Sequence, residues 1–175
     1  VRSDIYMRLD LHFESPMQSW GTTELWYKTR RTESCPTKTA VTGIIGRCMG
    51  IDWEDKKELE KISNSFAIIS SENTDIPMPK RMQDDQTVYI GDYMDAGIVK
   101  GFRTGANGIK NVNGAVRAQQ MTKDYLEDEK ITITIEGNRE DLEEIRNALL
   151  HPVWPPYLGR ACCIPSGQII RGDVY

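Results

Sequence analysis

The stretch "KITITIEGNREDLEEIRNALLHP" (130–152) constrains this chain most, because its hydrophobic period changes partway through. Ile131, Ile133 and Ile135 alternate with polar residues, as in a strand with one buried face. Beyond Gly137, Leu142, Ile145 and Leu149 recur at helical spacing. Asn138 stands where an N-cap belongs, Glu140 and Asp141 occupy the first turn, and Pro152 closes the helix. A strand feeding a capped helix, each with one apolar face, requires layers that cover one another. The fold class this predicts is α+β.

The rest of the chain supplies the other layers. "DIYMRLDLHF" (4–13) alternates loosely and reads as a first strand ending at "ESP", followed by a loop rich in aromatic and basic residues. "PTKTAVTGIIGRCMG" (36–50) reads as a helix, with Ala40, Val41, Ile44, Ile45, Cys48 and Met49 on its apolar stripe. Thr37 is its expected N-cap and Gly50 its stop. Gly43 and Gly46 lower helix propensity, which close packing against a neighbour would explain. A short helix is expected over 53–63, a strand over 65–70, and final strands after the last helix.

Residues 71–118 lack sustained periodicity, and their glycines (91, 97, 101, 105, 108 and 114) suggest an extended hairpin or loop. The order fits a ferredoxin-like βαββαβ layer in a single domain, residues 1–175, with an insertion of about 76–118. A chain of 175 residues is long enough to bury a core. No apolar run is long enough to span a bilayer, and the first residues lack the apolar stretch of a secretion signal. A cytoplasmic location is therefore expected, with no membrane partner.

A net charge of −4 argues against a general nucleic-acid binder, but the charges are segregated. Residues 28–47 carry five basic side chains against Glu33. Residues 97–123 carry Lys100, Arg103, Lys110, Arg117 and Lys123 with no acid, whereas 124–144 carry nine acids. Such segregation focuses a positive field on part of the surface, although charge alone also fits solvated faces without a partner.

"WPPYLGRACCIPSG" (154–167) raises the question of a thiol or metal site. The four cysteines form no CxxC pair, only His12 and His151 could assist, and adjacent cysteines make a strained disulfide. Cys162 and Cys163 therefore read as small semi-buried residues, with no metal or cofactor required. Three loop stretches instead share a chemistry: "SPMQSWG" (15–21), "RRTESCPTK" (30–38) and "PPYLGR" (155–160). Gly21 and Gly159 permit close main-chain approach, Arg30, Arg31, Thr37, Lys38 and Arg160 offer charge or hydrogen bonds to phosphate, and Trp20 and Tyr157 offer planar faces. The helix start near Pro36 adds an anion-attracting terminus. Turn glycines and packed aromatics are the competing explanation of the same residues.

"SPMQSWG" (15–21), "CPTKTAVTGIIGRCMG" (35–50) and "YLGRACCIPS" (157–166), with "MQDDQTV" (82–88) and "QMTKDYL" (120–126), resemble the CasD (Cas-five) family of CRISPR-associated proteins. The resemblance extends over essentially the whole chain. It implies a RAMP protein with an RRM-like ferredoxin fold and a protruding β-hairpin thumb. It further implies a non-catalytic subunit of the type I-E Cascade surveillance complex, serving antiviral defence by capping the 5′ handle of CRISPR RNA. Its implied neighbours are the backbone subunit of the Cas-seven family and the large subunit that reads the PAM, with target DNA contacted indirectly. Under it "YLGR" is an RNA-holding loop, with Cys162 and Cys163 as packed support. Lys100, Arg103, Lys110 and Arg117 hold phosphates along the thumb, and Lys123 sits at its base. Lys123 stands where arginine is common, which keeps the charge and loses the planar fork. The alternative is a metal-independent endoribonuclease processing CRISPR precursor RNA, which needs a general acid and base near the scissile 2′-OH. His12 within a strand and His151 at a helix end lie in no basic, aromatic loop.

Overall fold

The structure is a computed structural model that describes residues 6–22, 29–73, 79–90 and 117–175. The described elements are β1 (Met7–Gln18), β2 (Thr29–Arg30), α1 (Lys38–Met49), α2 (Lys56–Ser65), β3 (Phe66–Asn73), β4 (Arg81–Ile90), β5 (Arg117–Gly137) and α3 (Arg139–Leu150). Strand β5 is the spine of a mixed sheet and pairs with each of the other four strands. Its C-terminal half lies between antiparallel β1 and β3, and its N-terminal half between antiparallel β4 and parallel β2. Leu126 pairs with Gln18 on one edge and Arg81 on the other, so β1 and β2 share an edge and β3 and β4 share the opposite one.

Alternation along β1 and β5 sends Leu9, Leu11, Phe13, Ile131, Ile133 and Ile135 to one face, where they are buried. Val41, Ile44, Ile45 and Cys48 of α1, Ile62 of α2 and Leu142, Ile145 and Leu149 of α3 complete this core. Each such aliphatic side chain contributes roughly 1.5–3 kcal/mol when fully buried. Thr37 caps α1 by accepting from the Ala40 N–H at 3.3 Å, Asn138 caps α3 at 2.9 Å to the Asp141 N–H, and Gly50 closes α1 at φ 76°.

Gly46 faces α2, where an added Cβ would stand 2.6 Å from Leu59 Cδ2, so helix packing accounts for it. The same explanation fails for Gly43, whose Cβ position has nothing within 4 Å.

Three expectations change. Strand β1 does not stop at "ESP" but continues to Gln18, passing Pro16 opposite Asp128, the described non-glycine residue at positive φ. Strand β5 begins at Arg117 rather than near 130, and its first residues pair with β4. The final strands are replaced by an irregular tail fastened along β1. Arg8 and Tyr175 exchange backbone hydrogen bonds at 2.7 and 3.0 Å, the His12 N–H donates to the Ile169 carbonyl, and the Ser166 N–H to the Glu14 carbonyl. Residues 91–116 of the expected insertion, including Lys100, Arg103 and Lys110, lie outside the described residues.

Candidate nucleic-acid interface

Segments far apart in sequence meet around one open groove of about 960 Å³. One wall comes from the end of β1, with Ser19, Trp20, Gly21 and Thr22, joined by Arg30 and Arg31 of β2 and its exit. The opposite wall is the exposed face of α1, with Thr37, Thr39, Ala40, Gly43 and Arg47. The turn after α1 adds Asp52 and Trp53, and the segment after α3 adds Trp154, Tyr157, Gly159 and Arg160. Four arginines thus line the groove against one carboxylate, Asp52, which gives it a strongly positive lining. No histidine is among the described lining residues.

The loop from 157 to 163 is built by its own backbone. The Leu158 N–H donates to the Cys163 carbonyl at 2.7 Å, and the Leu158 carbonyl accepts from the Ser19 N–H at 3.1 Å. Gly159 stands at φ 94°, and a Cβ there would fall 1.5 Å from the Ser19 carbonyl oxygen. Glycine is demanded here by the neighbouring strand as well as by its own turn. Arg160 donates from Nη1 to the Asp124 carbonyl at 3.0 Å and from Nη2 to the Arg30 carbonyl at 3.2 Å, with its guanidinium 4.5 Å above the Tyr125 ring. This planar fork fastens β2 to β5 where the β4–β5 pair leaves the main sheet. Burial, reinforced by the Arg160 charge, lowers the Arg30 pKa. Both arginines line the same groove, and their like charges there favour an anion.

Residues 8–173 match the family described as "CRISPR-associated protein (Cas_Cas5)". The chain belongs to that family. It is 30% identical to the CRISPR system Cascade subunit CasD of Escherichia coli (strain K12) over 177 residues, spanning 98% of this chain and 71% of the relative. Its fold is similar to a chain of a CRISPR RNA-guided surveillance complex, with a TM-score of 0.68 at 24% identity, spanning 93% of this chain and 61% of the other. A Cas protein crystal structure matches with a TM-score of 0.54 at 26% identity, over 95% of this chain and 63% of the other. This family member therefore spans less than two thirds of the solved chains it resembles.

The groove gathers many of the sequence-predicted residues and reassigns several of them. Gly21 and Arg31 are exposed on its lining, and Arg30 and Tyr157 line it half-buried. Trp20 is a correction: its ring is 0% exposed and packs against Phe13 at 5.7 Å between centroids, so it presents no free face for stacking. Thr37 uses its hydroxyl oxygen to cap α1. Lys38 is not among the lining residues, and its ammonium lies 5.4 Å from the Phe66 ring centroid. Lys123 stands in β5 paired with Arg30 of β2, donating from Nζ to Gln86 Oε1 at 2.6 Å. Arg103 lies outside the described residues, as does the side chain of Arg117, whose backbone pairs with Ile90.

The cysteine pair also divides. Cys163 is buried and its thiol is pushed up to about 12, chiefly by burial and then by its neighbour, whereas Cys162 is exposed and is not packed support. His12 sits on the sheet face away from the helices, 3.2 Å from Thr132 Oγ1, and burial lowers its pKa. Sequence reasoning missed Arg47, Trp53 and Trp154 as lining residues. Arg47 was legible only as a charge on α1, and neither tryptophan lies in the three loop stretches.

Proposed function

We propose that this chain is the RNA-capping subunit of a type I CRISPR surveillance complex, with the groove holding the 5′ handle of CRISPR RNA. The observation that carries this reading is the convergence of "SPMQSWG", the start of α1 and "YLGR" on a single arginine-lined groove. An extended, unpaired strand needs cations for its phosphates and flat side chains for its bases, and this lining offers both. The irregular tail running beside β1, with β5 and β3 beyond it, supports a ferredoxin-like RAMP reading of the domain. The paired arms of β4 and β5 are the base of a thumb. The backbone subunit of the Cas-seven family and the PAM-reading large subunit are its neighbours, target DNA is contacted through them, and the complex works in the cytoplasm.

The proposed role is binding without cleavage, for which the described lining supplies cations and aromatic faces. The test is expression of a tagged chain with CRISPR RNA and the neighbouring subunits, followed by sequencing of the 5′ ends that co-purify. Uniform ends carrying the repeat-derived handle are expected. RNA with random 5′ ends, or none, would overturn the reading.

A further inference from the structure

The end of the groove formed by the turns after α1 and α3 carries side chains that the shared motifs do not explain. Trp53 is 70% exposed and Trp154 is 37% exposed, and both line the groove. The two turns that present them are tied together. The Val153 N–H donates to the Cys48 carbonyl at 2.8 Å, and Arg47 Nε donates to the Pro155 carbonyl at 2.6 Å. A single exposed aromatic residue is ordinary. Two indoles held on one braced rim, in a molecule that buries Trp20 completely, form a distinct surface.

Cations accompany both turns. The Arg47 guanidinium lies 4.6 Å from the Tyr157 ring centroid, and Lys56 Nζ lies 5.1 Å from that of Trp53. Aromatic faces interleaved with cations suit an unpaired nucleotide, which brings a π-face and a phosphate together. We propose that Trp53 and Trp154, with Arg47 fastened to the Pro155 carbonyl beside them, form a stacking subsite for one unpaired base of single-stranded RNA. The subsite rests on the RNA-holding reading of the groove. A polyanion is favoured over a protein partner because the rim is continuous with a lining of four arginines and one acid.

The test uses the purified chain and a series of handle RNAs, each with one abasic ribose. Binding is measured for wild type, Trp53→Ala and Trp154→Phe, with folding followed by circular dichroism. One abasic position is expected to weaken wild-type binding between about fivefold and a hundredfold, the range that base–aromatic stacking gives. Trp53→Ala should bind the intact and that abasic RNA equally, and Trp154→Phe, which keeps a flat face, should bind nearly as wild type does. Equal affinity of wild type and Trp53→Ala for intact RNA would overturn the subsite. So would a Trp53→Ala chain that binds RNA normally but no longer joins its neighbouring subunits, which assigns the rim to a protein. A wild-type chain that does not prefer handle RNA over shuffled RNA would overturn the groove reading, and the subsite with it.

Discussion

The floor and the rim of the groove use similar residue types for opposite purposes. On the floor, Trp20 fills the core, Gly159 yields to the Ser19 carbonyl and Arg160 fastens two strands by their backbones. On the rim, Trp53, Trp154, Arg31 and Gly43 line the groove without being buried in the fold. Several motif residues therefore shape the groove, while residues both inside and outside the motifs face what occupies it. A tryptophan, a glycine and an arginine occur in both sets, so residue type does not separate them.

Substitutions at matched positions can break this contrast. Gly159→Ala should have the largest effect, because it places a methyl group against a carbonyl at a positive φ. A loss of about 3–5 kcal/mol, or failure to fold, is expected. A urea unfolding midpoint close to that of wild type would remove Gly159 from the floor set.

Arg160→Lys is next. Lysine keeps the charge but cannot span the Asp124 and Arg30 carbonyls with one planar fork, so a loss of about 1–3 kcal/mol is expected. A charge that merely meets phosphate would be rescued by lysine. An unchanged melting temperature together with undiminished RNA binding would therefore move Arg160 to the rim.

Gly43→Ala should have the smallest effect and the opposite sign. Its methyl group meets nothing within 4 Å and replaces a helix-interior glycine, so a gain of about 0.5–1 kcal/mol is expected by thermal unfolding. Destabilisation would mean that α1 packs more tightly there than the open groove implies.

The helices were the most legible part of the sequence. Asn138 and Thr37 announced the starts of α3 and α1, Gly50 announced the end of α1, and the apolar stripes named the buried residues. The β4–β5 arm was less legible for a physical reason. "QMTKDYLEDE" (120–129) shows little of the alternation that marks the buried half of β5, and its backbone pairs with β4 as far as Leu126 and with β1 beyond. The tail failed as a strand because it contacts β1 at intervals rather than in a continuous ladder.

In the groove, the convergence of three loops was legible once a fold was assumed, but the burial of Trp20 was not. "QSW" gives no sign that the chain turns inward at Thr32, whose hydroxyl accepts from the Trp20 N–H at 2.7 Å. Trp53 and Trp154 each stand alone among polar or proline residues, and only their meeting in space makes them a surface.

The most direct test of the division between floor and rim measures melting temperature and handle-RNA affinity together for Trp20→Phe and Arg31→Ala. Trp20→Phe removes buried volume and should cost about 1–3 kcal/mol of stability, while the folded protein binds RNA within about twofold of wild type. Arg31→Ala should leave stability within about 0.5 kcal/mol, weaken binding, and reduce the salt slope by about one. A Trp20→Phe chain that melts like wild type but loses RNA, beside an Arg31→Ala chain that binds normally, would contradict the account.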